Sequence, residues 1–371
     1  MIYLIPIFLT ILGASLFELK NNERYKILKN FIWLMIWSSL VLIIGLRFKV
    51  GGDTINYMGD YEWRPKLSDW ELNILDPYQP GYTILCSIGK TISDEFYVFQ
   101  IIHAIIINSL LIIFLQKSSK YPFSSLLAIF LCCYLYFSTE ILREVIAVLI
   151  FCINIRSYLY NNWFRYYIGV IICLLFHVSA VFLLIIPFFR KLSFNKYYFS
   201  FLSIWVCILF ISKPLLSFFS DIPIISGKIN GYIDEGSRGF LADFLNICRY
   251  FILPIMLLSL LKGCRHYTAK YENLVIILSL FGIASYFNPI IFGRIINYFI
   301  LFFCISIADF CIYCIRSHRN IKMQYACILS LSFLLLFGSE NIMYKKYTRW
   351  IPYYSIYNPI EVNRDSYGDN Q

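Results

Sequence analysis

Residues 31–61 read FIWLMIWSSLVLIIGLRFKVGGDTINYMGDY. The first sixteen, 31–46, carry no charge. As a helix they rise about 24 Å, most of the way across a hydrocarbon core of roughly 30 Å. From residue 47 the chain turns polar at once. Gly51 and Gly52 permit a sharp turn, and Asp53 is placed to cap whatever helix follows. Asp53, Tyr57 and Tyr61 recur every four residues, so they share one face of that helix. The pattern is a span leaving the membrane, followed by a short helix whose polar face borders a site at the outer surface.

The apolar half of that pattern recurs along the chain. Of 371 residues, 59% are hydrophobic, 19% aromatic and only 15% charged, with a mean hydropathy of +0.67. Soluble domains carry roughly 25% charged residues. Repeated uncharged runs of helical length define an all-α polytopic integral membrane protein with about 10–12 transmembrane helices. The run 2–17 has no basic stretch before it and no small-residue cleavage site, so it reads as a retained first span and not a signal peptide.

The net charge of +10 suggests a nucleic-acid partner until its distribution is considered. Six short loops, at 20–29, 116–121, 156–165, 190–196, 262–272 and 316–322, hold 17 Lys/Arg against two acids, Glu23 and Glu272. The longer polar segments 47–81, 213–243 and 339–371 hold 11 Lys/Arg against 14 acids. This is the positive-inside bias, so basicity sets orientation and calls for no nucleic acid. All twelve cysteines sit within or at the ends of apolar runs, which excludes a disulfide scaffold in the outer loops. Cys311 and Cys314 form a C-x-x-C inside an apolar helix with no second pair, and read as small hydrophobes. There is no G-x-x-x-x-G-K-[ST] loop for ATP and no internal repeat to support an inverted-repeat transporter.

With the basic loops in the cytoplasm, ten spans are expected, at 2–18, 31–46, 96–115, 122–137, 139–159, from 197, and at 244–261, 273–292, 294–315 and 324–338. Both termini are then outside, with outer loops at 47–81 and 213–243. The expected organisation is a single transmembrane domain over 1–338 and an outer tail over 339–371. Segment 166–189 breaks the parity. A single crossing there would put Arg190, Lys191 and Lys196 outside, so it is read as two short half-helices turning near His177, lining a cavity or packed on protein. Segment 79–92 is too short to cross and lies along or dips into the outer interface.

Ionisable groups within spans are costly and mark functional positions. Arg143, beside Glu140 and Glu144, lies about one turn into a helix that starts outside. Arg294 opens another span beside Gly293, and Arg249 sits in the first turns of the helix after the 213–243 loop. With Arg47 and Lys49 these cations gather at outer helix ends, against the positive-inside bias, and a membrane-embedded lipid diphosphate is the anion that fits. Each has a plainer role to weigh: a local ion pair of Arg143 with Glu140, of Arg249 with Asp243, or an interfacial anchor at Arg47. Asp60 and Glu62 are the carboxylates nearest to a metal pair, but residues two apart diverge on a helix, and no metal is expected.

These residues resemble the EpsG-like branch of Wzy-type polysaccharide (O-antigen) polymerases of bacterial inner membranes. The matching elements are Arg47/Asp53/Tyr57/Tyr61 after the second span, Leu142-Arg143-Glu144-x-x-Ala147, Leu174-Leu175-Phe176-His177-x-Ser179-Ala180, and Arg294 with Tyr298. The likeness covers roughly residues 1–310. Where this chain has Arg143-Glu144 the family usually shows Arg-Gln, which puts in question any role for residue 144. The resemblance implies a multi-pass glycosyltransferase of the inner membrane that joins undecaprenyl-diphosphate-linked oligosaccharide repeat units at the periplasmic face, for O-antigen, capsule or exopolysaccharide. It implies no cofactor, and a chain-length regulator protein is a candidate partner. In that reaction Asp53 is the first choice for general base and His177 the second. Arg47, Arg143, Arg294 and Arg249 are candidate ligands of the diphosphate, and Tyr57 and Tyr61 candidates for stacking on sugar rings. The competing readings are another polyprenyl-linked membrane glycosyltransferase, an O-antigen ligase, and a lipid-linked oligosaccharide flippase.

Overall fold

The structure is a computed structural model that describes residues 2–19, 25–73, 76–220, 240–263, 270–316 and 350–360, with single positions at 324, 329, 330 and 332. The described residues form helices and no strands. Five helices are long and apolar enough to cross a membrane: Lys26–Gly45, Phe96–Ser118, Pro122–Thr139, Phe240–Gly263 and Pro289–Arg316. Shorter apolar helices cover Leu4–Leu19, Trp163–Leu174, Tyr197–Phe210 and Glu272–Ala284. The chain is an all-α polytopic membrane protein. Most of the expected loop 213–243 and of the last span, 324–338, lies outside the described residues.

The chain divides into two compact units, Met1–Leu184 with Ser339–Gln371, and Ile185–Gly338. In the first, α1 (Leu4–Gly13) packs on α2 (Lys26–Gly45) and α6 (Pro122–Ile129). The turn closing α1 brings Glu18 to the start of α6, where its buried carboxylate accepts from Phe123 N at 2.6 Å and Ser124 N at 2.9 Å. A carboxylate there satisfies orphan amides and complements the helix dipole. The short helices α3 (Thr54–Glu62) and α4 (Pro80–Ile92) follow α2. At 13 residues α4 is too short to span, as expected, and it rests on α5 (Phe96–Ser118). α5 is the centre of the unit, touching α2, α4 and α8 (Leu142–Leu159).

Segment 166–189 folds back as the charge parity requires. Helix α9 (Trp163–Leu174) runs beside α8 and stops at a turn over 175–177, and a 3-10 helix covers Val178–Lys191. Tyr166 Oη donates to Leu183 O at 2.7 Å, a contact between residues 17 apart that a straight helix would hold about 25 Å apart. His177 stands at the turn, and the tip is pinned by Gly81 N donating to Leu175 O at 2.7 Å.

The tail was expected only to lie outside, but residues 350–358 are part of the first unit. Phe48 N donates to Tyr354 O at 2.8 Å, Ile356 N to Leu46 O at 3.0 Å, and Tyr353 Oη to Ile43 O at 3.0 Å. Tyr3 Oη donates to Trp350 O at 2.9 Å, so the first helix, the end of α2 and the tail meet at one end of the unit.

In the second unit helix Glu272–Ala284 packs between Phe240–Gly263 and Pro289–Arg316. The turn between the last two falls at 285–288 and not at Gly293. Asn288 Oδ1 accepts from Ile291 N at 2.9 Å, and Pro289 takes the first helical position, a strong start signal. Arg294 therefore does not open its span; it sits in the second turn.

Candidate functional site

The C-terminal end of α2 is closed by its own arginine. Arg47 is 1% exposed, and its guanidinium turns back so that Nη1 donates to Ile44 O at 2.6 Å and Nε to Val50 O at 3.1 Å. Gln100 Nε2 of α5 covers the carbonyls of Gly45 and Arg47, at 2.8 and 2.9 Å. A cation on carbonyls at a helix C-terminus satisfies orphan acceptors and meets the negative end of the dipole. Burial pulls the Arg47 guanidinium down to about 10, against the opposing pull of Tyr3 and Glu140, so it stays charged at neutral pH. Its partners are the protein's own backbone, under the tail.

The glycines next in sequence are placed for close approach. Gly51 has φ +107°, and a Cβ there would stand 2.9 Å from Thr139 Cβ. Gly52 N donates to Glu140 Oε1 at 2.9 Å. This answers the Arg143–Glu140 pairing: the Glu140 carboxylate serves the 47–53 loop, while Arg143 turns elsewhere. Asp53 starts α3 by position, but its side chain makes no capping hydrogen bond. The half-buried carboxylate has no hydrogen-bond or ionic partner among the described residues.

Tyr57 and Tyr61 do share a face, but it points inward. With Tyr82, Cys86, Phe96, Phe99 and Leu142 they form a buried cluster, and Tyr61, 1% exposed, donates to Ser93 O at 3.0 Å. A ring packed on both faces offers none to a sugar, so the expectation of stacking gives way to one of packing. Burial pushes the Tyr61 and Tyr82 phenols up.

Partly buried Tyr78, at the edge of this cluster, has two cations over its ring. The Arg143 guanidinium lies over its ring at 4.0 Å, and that of Arg64 at 5.1 Å. Arg143 Nη1 reaches Gln79 Oε1 at 3.4 Å, and its Nε is buried without a hydrogen-bond partner among the described residues. Arg64 is held by Asp60, at 2.7 and 3.0 Å, and by Asp76. Burial raises the Asp76 carboxyl, but the Arg64 hydrogen bond and charge and the Tyr78 amide outweigh it, leaving it below the usual carboxylate range. The Asp60 oxygens considered for a metal are thus engaged by Arg64, while Glu62 points to solvent.

His177 approaches the same helix from the hairpin. Its Nδ1 lies 3.2 Å from Ser179 N, which can only donate, and 2.6 Å from Ser179 Oγ. The neutral ring therefore keeps its proton on Nε2, which faces Glu144 Oε2 at 4.0 Å. Glu144 is 1% exposed, so the residue left in question by the sequence is the one the fold brings to the histidine. Arg143 and Glu144 are adjacent, and the Leu175 tip docks on Gly81. Arg143, Tyr78, Gln79, Glu144 and His177 thereby form one neighbourhood at the start of α8.

Arg249 and Arg294 belong to the second unit. Arg249 is buried within a π-turn, Cys248–Ile252, and Arg294 is partly exposed, one turn before buried Tyr298. Of the missed residues, Arg64 has a readable signal, standing four residues after Asp60, just past the end of α3. Tyr78, Gln79 and Ser179 had none, because long-range folding brings Tyr78 and Gln79 to α8 and the turn at 175–177 sets Ser179 on His177.

Fold and site together describe a polytopic membrane protein with a cationic, aromatic-backed site at one end of its helices. The chain belongs to the EpsG family, whose model matches residues 30–355. Membership supports a polysaccharide-polymerase-like function in general terms. No curated protein and no solved structure matches the chain.

Proposed function

We propose that the protein is a glycosyltransferase that joins undecaprenyl-diphosphate-linked oligosaccharide repeat units at the periplasmic face of the bacterial inner membrane. The observation that carries this reading is Arg143: a guanidinium over the Tyr78 ring, 4.0 Å from its centre, at the outer start of a helix, with a buried Nε that has no acceptor among the described residues. A planar donor fork with spare hydrogens is the chemistry that grips phosphate oxygens. The charge distribution supports the periplasmic side. Tyr3, residues 46–48 and residues 350–356 meet at one end, so all three share whichever face the charge bias assigns to the end of α2.

In the reaction, an acceptor hydroxyl at the non-reducing end of a new unit attacks the anomeric carbon of the growing chain. The bond from that carbon to the lipid diphosphate breaks, and the diphosphate leaves with the electron pair. Arg143 neutralises the developing charge. Asp53 takes the hydroxyl proton, and its unengaged, half-buried carboxylate supports this role over that of His177. Both nitrogens of His177 have neighbours, Ser179 on one side and Glu144 on the other, so it holds the hairpin tip and the Glu144 charge in place. Arg249 and Arg294 lie in the second unit and take no step in this scheme. Arg47 serves the fold. The test is polysaccharide made by cells deleted for the gene and complemented with Arg143→Ala or Asp53→Ala. We expect each to lose the polymer ladder at normal protein level, leaving single transferred units. An unchanged ladder overturns the assignment, and units accumulating on the cytoplasmic leaflet would mark a flippase.

A further inference from the structure

We infer that Tyr78 is a positioning residue for Arg143, and that Arg64, clamped between Asp60 and Asp76, in turn fixes Tyr78. The inference rests on the polymerase reading and names what makes that site work. A long arginine side chain in an open site samples many rotamers, and a guanidinium that must meet a diphosphate gains from being fixed beforehand. Three contacts do this for Arg143. Its guanidinium carbon lies 4.0 Å from the Tyr78 ring centre and 5.9 Å from that of Tyr82, and Nη1 reaches Gln79 at 3.4 Å. The Gln79 contact is long and single, so the aromatic face is the main support.

Tyr78 in turn is held through the outer loop. Tyr78 N donates to Asp76 Oδ1 at 2.8 Å, and the same carboxylate binds Arg64. Arg64 also takes both oxygens of Asp60 on α3, which ties residues 76–79 to a helix packed on the buried aromatic cluster. Two carboxylates neutralise Arg64, so the cations stacked on the one ring are not equivalent: Arg64 braces and Arg143 faces the ligand. Beyond the ring, Gly81 closes on Leu175 of the hairpin, where a Cβ would stand 2.7 Å from the carbonyl oxygen. One continuous stretch, 76–81, therefore sets both the arginine and the hairpin tip.

The inference makes the ring face the working part and gives the hydroxyl no role. In detergent-purified full-length protein supplied with lipid-linked repeat units, Tyr78→Phe should keep turnover within about twofold. Tyr78→Leu should lower kcat/KM by about tenfold to thirtyfold, the span of a desolvated cation–π contact. The double variant Tyr78→Leu/Arg143→Ala should be no slower than Arg143→Ala alone, because the ring acts only through that arginine. Arg64→Gln, which leaves Asp60 and Asp76 without their shared cation, should lower the melting temperature and give a smaller loss of kcat/KM that disappears in the Arg143→Ala background. Tyr78→Phe as damaging as Tyr78→Leu, or additive losses in the double variant, overturns the inference while the polymerase reading stands. Arg143→Ala with wild-type turnover overturns both.

Discussion

Arg47 and Arg143 enter the chain with the same credentials, each a cation at the end of an apolar helix, and the fold puts them to opposite uses. Arg47 is sealed under residues 350–358, with its Nη1 and Nε given to the carbonyls of Ile44 and Val50. Arg143 rests on Tyr78 with a single long bond to Gln79. The first cation gives Nε and Nη1 to the chain end it closes, with its buried Nη2 lacking an acceptor among the described residues, and the second is held chiefly by an aromatic face. The difference lies in which end of a helix each occupies. Arg47 follows the C-terminus of α2, where bare carbonyls attract it. Arg143 is in the first turn of α8, where the dipole repels a cation and backbone carbonyls are already engaged.

Removing each arginine separates the two uses. Arg47→Ala leaves the buried carbonyls of Ile44 and Val50 without their donor. A cost of about 1–3 kcal/mol is typical for each buried acceptor left unsatisfied. We expect the folded protein to be lost from membranes, seen as protein amount and as melting in detergent. Normal amounts of Arg47→Ala protein without polymer would move Arg47 to the ligand class. Arg143→Ala should do the reverse, with amount and melting unchanged and turnover down about 10²–10³-fold, as for loss of one donor to a developing oxyanion.

How much of this was legible follows the range of the interactions. The all-α polytopic class, the hairpin at 166–189 and the short α4 rest on hydrophobic length and charge parity, which are properties of the sequence itself. The turn at 285–288 was legible in principle, since Asn288-Pro289 is a start signal, but the uncharged run continues past it and Gly293 drew the boundary away. That Tyr57 and Tyr61 share a face is legible in the sequence, and the neighbours that bury it are not. Periodicity places residues on a common face and does not say whether that face meets solvent or α4 and α5. The pairing of Glu144 with His177 joins residues 33 apart in sequence, and the burial of Arg47 by a tail some 300 residues away is as remote. Neither leaves a local trace.

Two glycines sharpen the picture of the 47–61 segment. Gly51 needs its positive φ of +107° and sits against Thr139, so Gly51→Ala should cost about 1–3 kcal/mol in strain and displacement. A Cβ added at Gly59, on α3, would meet nothing within 4 Å, and Gly59→Ala should be neutral or stabilising by up to about 1 kcal/mol. Melting of the two variants side by side tests whether the turn, and not the helix, sets the loop against Glu140. Equal melting temperatures would show that the turn is not constrained as the structure has it.

The smallest effect belongs to the tail. Trp350 Nε1 donates to Thr139 Oγ1 at 2.9 Å, beside the Glu140 that holds Gly52. Trp350→Phe removes that one bond and keeps most of the ring. Thr139 loses little, because its hydroxyl already donates to Leu135 O at 2.8 Å. The expected cost is therefore that of one partly buried hydrogen bond, about 0.5–1.5 kcal/mol, with turnover unchanged. A loss of turnover without a loss of stability would mean that the tail acts on the site through Thr139, Glu140 and the 47–53 loop. The separation between a sealed arginine and a working one would then be a matter of degree, since both would answer to the same latch.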